Sequence, residues 1–235
     1  MFDKITIIGC GLIGSSLLRI IDKKKLSKQI NVFDKSKEVS EFIKNNFKVK
    51  VFNDVADSVS GSDLVIISSP LSSYKEILLS IKSTLKKDVI LTDTGSAKKE
   101  INKIINNFNL DQVHWISSHP IAGTEFSGPE SGFAELFKDR WCILSSENQK
   151  ETQKFNLLKK FWEALGSKVK FMSFDDHDYV LSITSHLPHA IAYSIIRTVI
   201  KNEDKFKEEI IQDSASGLRD FTRIAASDPT MWRDI

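Results

Sequence analysis

Short apolar, β-branched runs recur along the chain, and most are followed by a turn and a stretch of helical spacing. Ile5-Thr6-Ile7-Ile8, Ile30-Asn31-Val32-Phe33, Leu64-Val65-Ile66-Ile67 and Val89-Ile90-Leu91-Thr92 read as buried strands, with further strand patterns at 49–52, 113–117, 141–144 and 168–172. Helical periodicity follows Ser15-Ser16-Leu17-Leu18 and returns at 37–46, 74–85, 97–107 and 152–165. Strands alternating with helices in this way predict an α/β chain with a mostly parallel, doubly wound sheet. Ligands bind such sheets beyond the carboxyl ends of the strands, and Asp34, Ser69, Ser96 and His119 are all expected at such ends.

Near Asp175 the pattern changes. Residues 175–200 carry no strand signal and read as one long, mostly apolar helix, bent at Pro188. Further helix is expected at 205–212 and 218–226, with Ser214-Ala215-Ser216-Gly217 as a break. This predicts two domains, 1–174 and an all-α 175–235. The second has about 60 residues, too few for a core of its own, so it must pack on the first or on another subunit.

The first strand runs straight into Gly9-Cys10-Gly11-Leu12-Ile13-Gly14 and then a helix. Strand, GxGxxG and helix in that order form the dinucleotide fingerprint of a Rossmann-type domain. Gly9 would make the tight turn, Gly11 would admit a pyrophosphate, and Gly14 would let helix and strand pack closely. The phosphates would rest on the helix N-terminus. Asp34 closes the next strand about 20 residues later, where a ribose-binding carboxylate belongs. Its charge would repel a 2′-phosphate, which favours NAD, although Lys35 and Ser36 beside it pull toward NADP. Leu12, Ile13, Ser69 and Pro70 complete the expected cofactor contacts.

Composition narrows the partners. Charged residues make up 27% of the 235 and nearly balance at a net +2, so no nucleic acid or other polyanion is implied. No apolar run approaches the ~20 residues that span a bilayer, so no membrane partner is expected. The N-terminus enters a strand at once, and no signal peptide is expected. Cys10 and Cys142, both in apolar strand contexts, fit a reducing cytoplasm better than a disulfide scaffold.

Four further segments carry a resemblance that extends along essentially the whole chain: Asp93-Thr94-Gly95-Ser96-Ala97-Lys98, His119-Pro120-Ile121-Ala122-Gly123-Thr124-Glu125, Ser185-His186-Leu187-Pro188-His189-Ala190 and Arg219-Asp220-Phe221-Thr222-Arg223-Ile224-Ala225. Together they resemble the prephenate/arogenate dehydrogenases of tyrosine biosynthesis. The resemblance implies an oxidative decarboxylation in which NAD takes a hydride from C4 of a cyclohexadienol, the ring carboxylate leaves as CO₂, and the ring becomes aromatic. It also implies a homodimer. Family members continue with several more helices past the point where this chain stops, at Trp232-Arg233-Asp234-Ile235, so a fragment or a minimal variant is expected.

The chemistry needs a base near neutrality for the C4 hydroxyl proton, and His119 suits it, with an ionisation expected near the ordinary imidazole value of ~6.5. Capping or packing a loop is its alternative. Ser96 matches the family serine beside the nicotinamide and the reacting hydroxyl, and could also cap the following helix. Arg223 matches the family arginine and could grip a substrate carboxylate through a bidentate fork. Arg219 and Lys98 are weaker candidates for that task, or else surface charges. His189 matches a family histidine on the substrate side chain, and Thr124 and Glu125 fall in the substrate-binding motif. Asp178 and Glu125 resemble acids tied to the arginine, or are solvated. His186 and His189 share a helix face, but no third ligand accompanies them and no metal is expected. Trp115, Trp141, Trp162 and Trp232 read as core or interface. Two other readings stand: a different Rossmann reductase with a helical tail, and a nucleotide sensor without catalysis.

Overall fold

The computed structural model describes residues 1–110, 112–147, 152–201, 216–226 and 232. Six parallel strands, β1 (Phe2–Ile8), β2 (Ser27–Phe33), β3 (Lys50–Phe52), β4 (Leu64–Ile67), β5 (Ile90–Asp93) and β6 (His114–Trp115), form one sheet in the order β3-β2-β1-β4-β5-β6. Ile7 of β1 is in register with Val32 on one side and Ile66 on the other. The strand order therefore reverses beside β1, which opens a crevice at the carboxyl edge there.

Helices α1 (Leu12–Lys23), α2 (Lys37–Asn46), α3 (Val55–Val59), α4 (Tyr74–Ile81), α5 (Lys98–Asn106) and α6 (Gln153–Ala164) complete this half. The strands are apolar at successive positions because both sheet faces are covered. Ile5, Ile7, Val32, Leu64 and Ile66 enter one core with Leu17, Leu18 and Trp162. Ile8, Val65, Ile67 and Leu91 enter the other with Tyr74, Leu78, Ile81 and Ile101. Each fully buried Ile or Leu contributes about 1.5–3 kcal/mol, so these two layers carry the domain.

The structure departs from the sequence expectation in three places. The run at 113–117 is not one strand. The main sheet ends at Trp115, and β7 (Ser117–Pro120) pairs antiparallel with β8 (Trp141–Ser145), which pairs parallel with β9 (Lys168–Phe171) in a separate three-stranded sheet. Asp93 draws the chain across, since its carboxylate accepts from Ser117 Oγ at 2.7 Å and from Ser118 N at 3.2 Å. His119 accordingly lies within β7, opposite Ile143, rather than at the end of a main-sheet strand. The short helix α3 was not expected; the Asp54 side chain starts it by accepting from Asp57 N at 2.9 Å.

The third departure lies in the expected long helix. It is α7 (Phe174–Leu181), a π-helical turn (Ser182–His186) and α8 (Leu187–Lys201). Pro188 has no N–H for the Thr184 carbonyl and its ring crowds that position, so the ladder widens and Leu187 N–H donates to Ser182 O. α9 (Ser216–Ala225) packs against α8 and includes Ser216 and Gly217, which had been expected to break it. The helix expected at 205–212 lies outside the described residues.

Candidate active site

The glycine turn after β1 is held by close backbone approach. Gly9 has φ +88°, and a Cβ there would come within 2.6 Å of Ser68 O and Ser69 Oγ. A side chain at Gly14 would collide with the Gly9 carbonyl. Gly11 is different: it starts α1 with nothing within 4 Å of a would-be Cβ. No side chain caps α1 and its first turn holds no acid, so the N–H groups of Leu12 and Ile13 and the positive end of the helix remain for an anion. A pyrophosphate fits this cradle in size and sign.

Asp34 stands directly after β2 and does more than the sequence suggested. Its carboxylate accepts from Cys10 N at 2.6 Å and from Ser36 N at 2.8 Å, clamping the glycine turn to the neighbouring strand. Each oxygen keeps a lone pair for a ribose hydroxyl. Burial, reinforced by the Asp34 charge, pushes the Cys10 thiol up to about 12, so this cysteine stays a protonated packing group. Ser69 Oγ donates to Ile8 O at 3.2 Å, Thr94 Oγ1 donates to Ser68 Oγ at 3.1 Å, and Pro70 is exposed. The carboxyl ends of β1, β2, β4 and β5 are thereby tied into one edge.

Beyond β5 the site is built on a buried ion pair. Lys98 and Asp93 have fully buried side chains 2.6 Å apart, and Lys98 Nζ also donates to Ser118 O at 2.7 Å. Gly95 N donates to the same carboxylate at 2.9 Å. Burial draws the Lys98 ammonium down from its ordinary value and the Asp93 charge opposes that shift. Lys98 is thus neither a surface charge nor a free cation for substrate. It fixes the β5–α5 turn, which carries the partly buried Ser96, against the strand that carries His119.

Ser96 does not cap α5. Ala97 occupies the cap position without a side-chain bond, and the cap comes from far along the chain. Asp178 of α7 accepts from Lys98 N and Lys99 N, both at 2.9 Å. Asp178 Oδ1 also lies 2.7 Å from Nδ1 of the fully buried His177, whose Nε2 lies 2.8 Å from His119 Nδ1. Burial works against the Asp178 charge, but these donors outweigh it and hold the carboxyl below its usual range. Among the described residues its partners are therefore a helix terminus and a histidine, neither an arginine nor solvent alone. His177 is the residue that sequence reasoning missed.

His119 is driven well below the ordinary imidazole range, first by burial and then by the Lys98 cation, His177 and His186. The pKa near 6.5 expected from sequence is therefore corrected downward. His119 Nε2 has no hydrogen-bond partner among the described residues. His186 lies in the π-helical turn, with Nε2 buried and unpartnered. His189 hydrogen-bonds through Nδ1 to Ser185 O at 2.8 Å and stacks on Trp232 with ring centroids 3.8 Å apart. The structure thus gathers His119, His177, Asp178 and His186, with His189 on Trp232 beside them.

Other candidates stand apart from that cluster. Thr124 and Glu125 are exposed in the loop after β7, where Thr124 Oγ1 accepts from Phe126 N at 3.3 Å. Arg223 is exposed on α9. The Arg219 side chain lies outside the described residues. Trp162 is fully buried as expected, whereas Trp141 is 47% exposed beneath the Lys170 ammonium. The described residues include no group of three or more His, Cys, Asp or Glu placed to hold a metal.

The sheet order, the open helix N-terminus and the histidine cluster define a dinucleotide-binding oxidoreductase of the Rossmann class. Comparison with known proteins narrows the class. Residues 18–171 match the family described as prephenate dehydrogenase, nucleotide-binding domain, and residues 173–235 match prephenate dehydrogenase, dimerization domain. The chain belongs to the prephenate dehydrogenase family. It is 40% identical across its full length to a cyclohexadienyl dehydrogenase of Zymomonas mobilis, covering 80% of that protein. It is 32% identical, again across its full length, to a prephenate dehydrogenase of Bacillus subtilis, of which it spans 64%. A solved structure of A. aeolicus prephenate dehydrogenase, in complex with hydroxyphenyl propionate and NAD+, superposes over the whole chain with a TM-score of 0.88 at 31% identity, covering 82% of that structure.

Proposed function

We propose that this protein catalyses the NAD-dependent oxidative decarboxylation of prephenate to 4-hydroxyphenylpyruvate, with arogenate as the related substrate. The observation that carries this reading is His119, partly buried and with its imidazole pKa lowered, on the strand that Lys98 ties to the β5–α5 turn, together with the uncapped N-terminus of α1 at the carboxyl edge of the main sheet. NAD would lie with its pyrophosphate over Gly11 and Leu12-Ile13 and its adenosine ribose at Asp34; bound there, it supplies the hydride acceptor. Ser69 and Pro70 border the same crevice.

The chain's own residues manage the proton. His119 takes the C4 hydroxyl proton as the C4 hydride departs, which leaves a carbonyl at C4. The bond from C1 to the ring carboxylate then breaks, its electrons aromatise the ring, CO₂ leaves, and the proton on His119 returns to the phenolate oxygen. Ser96 would hydrogen-bond the same hydroxyl. Arg223, with His189, Thr124 and Glu125, would set the remaining polar groups of the substrate. Aromatisation makes the reaction downhill, so orientation and one proton transfer are the main tasks of the protein.

In this reading residues 1–174 bind the nucleotide and 175–235 complete the substrate site and dimerise. Support for a homodimer comes from the apolar residues exposed along α7, the π-helical turn and α8, Tyr179, Ile183, Leu187 and Ile191, and from an open groove of about 470 Å³ along α8. The two buried, unpaired cysteines suit a cytoplasmic setting. Steady-state kinetics with prephenate and arogenate, each with NAD and NADP, test the reading. NADH, CO₂ and 4-hydroxyphenylpyruvate should appear together from prephenate. Turnover of neither cyclohexadienol by the folded protein would reject it.

A further inference from the structure

The polar group hydrogen-bonded to the His119 ring is another histidine. His177 is fully buried, sits on α7, and joins two partners that are 59 positions apart, His119 and Asp178. A hydrogen bond to Asp178 alone would place one ring nitrogen; the structure places both. We propose that His177 is a positioning residue that orders the protons along Asp178, His177 and His119 so that His119 presents an unprotonated Nε2 to the substrate hydroxyl. This rests on the assignment of His119 as the base.

The ordering follows from donor and acceptor chemistry. Asp178 is ionised and can only accept, and it already accepts from Lys98 N and Lys99 N. The proposed order gives His177 a single ring proton, which the 2.7 Å contact to Asp178 Oδ1 draws to Nδ1. Its Nε2 then carries a lone pair and must accept. The 2.8 Å contact to His119 Nδ1 is satisfied only if that nitrogen bears the proton of a neutral His119. The lone pair of His119 falls on Nε2. Which ring nitrogen of a histidine is basic is set in this way by the bond its other nitrogen makes.

The groups around the pair act in the same sense. From α5, the Lys98 ammonium disfavours a charged His119, and so does His186 from the π-helical turn; Cys142 on β8 is buried as a protonated thiol. From α7, the Asp178 carboxylate is placed against His177 rather than His119, and from β5 the Asp93 carboxylate is taken up by Lys98. A free imidazole would divide its proton between two nitrogens, and only one of those forms has its lone pair at Nε2. The relay removes that division and also fixes the plane of the ring.

The variants His177→Gln and His177→Asn separate positioning from packing. A glutamine oxygen reaches the place of Nε2 and can accept from His119 Nδ1, whereas asparagine reaches only the Asp178 side. In the full chain, His177→Asn should lower kcat by ~10- to 100-fold with KM for prephenate and for NAD within about 3-fold, a part of the ~10²–10⁴-fold available to a general base. His177→Gln should recover most of that loss although both variants lose the same buried ring. Equal kcat losses in the two, tracking equal falls in melting temperature, would assign His177 to packing and overturn the proposal.

Nitrogen-15 NMR of the histidine-labelled wild type at pH 8 gives a readout independent of turnover. His119 should show a protonated Nδ1 and an unprotonated Nε2, and this preference should weaken in His177→Asn. The opposite tautomer in the wild type would overturn the proposal even in an active enzyme. The expected tautomer in a protein that oxidises no cyclohexadienol would instead reject the assigned reaction and leave the relay standing.

Discussion

At the β1–α1 turn, the contacts that fix the site are backbone against backbone, with one carboxylate, Asp34, bound to two main-chain N–H groups. At the histidine cluster they are side chains brought from far apart: 58 residues separate His119 from His177, and 80 separate Lys98 from Asp178. In the first region the single carboxylate has only to accept hydrogen bonds from the backbone. The second depends on charge state, because a partly buried base, a buried cation and a carboxylate set one another's charge. Binding an anion requires only donors and a dipole, which any tight turn into a helix offers. Moving a proton requires a matched acceptor, and burial is the lever that tunes it.

Breaking the proton-handling region at its centre should give the largest effect. His119→Asn should lower kcat by roughly 10²–10⁴-fold, the usual cost of a lost general base, with KM for prephenate and NAD little changed. Wild-type turnover in that variant would remove His119 from the mechanism. Lys98→Met tests the support beneath it. Removing one member of a buried pair typically costs about 3–5 kcal/mol because the partner charge is left uncompensated. The four other donors on Asp93 should keep the loss near the lower figure, read by denaturant unfolding with NAD affinity as the control for the distant region.

These outcomes bear on what could be foreseen. The sheet, its ligand-binding carboxyl edge and the glycine turn were legible because their signals are local: β-branched runs, a fixed glycine spacing and an acid at the next strand end. Ser96 and His119 were singled out by their expected place at strand ends and by motif resemblance, and Asp178 by resemblance alone. His177 was not, since its neighbours in sequence, Asp175, Asp176 and Asp178, make the segment look like a solvated helix start. Ser173 does cap that start, accepting from Asp176 N at 3.0 Å. Its one local signal was Leu181, four residues on and buried with it on one face of α7. The departure of the chain from the main sheet after Trp115 was hidden for the same reason, because it is drawn across by Asp93, more than 20 residues earlier.

Arg223→Ala should raise KM for prephenate while leaving NAD affinity intact, since a lost charge-assisted pair costs about 2–5 kcal/mol when its partner stays desolvated. An unchanged KM would place the carboxylate site elsewhere. Acidification is a gentler probe. Neutral His119 is the active form and its folded pKa lies below the ordinary value, so the acid limb of kcat should fall below pH ~6.5. Stability moves with the same group. Below ~6.5 the unfolded chain binds a proton that folded His119 refuses, so the unfolded state gains protons and stability falls with pH. His186 is shifted in the same direction, first by burial, and adds to that slope. A limb at or above 6.5 would mean that neither burial nor Lys98 controls the base.

The smallest expected effect belongs to the cofactor end, where Asp34→Ser should narrow the preference for NAD over NADP. The carboxylate can accept from an adenosine ribose 2′-OH, and its charge opposes a 2′-phosphate. Serine removes the charge but keeps a hydroxyl, and Lys35 and Ser36 beside it then favour phosphate. Asp34 also clamps Cys10 N at 2.6 Å, so the variant should weaken both cofactors slightly as the glycine turn loosens. The informative quantity is therefore the ratio of kcat/KM for NAD to that for NADP, in which the common loosening cancels. A several-fold fall in that ratio, with the pH limb of kcat unmoved, would show that the two regions act independently. An unchanged ratio would assign Asp34 to the clamp alone and leave cofactor choice to other residues.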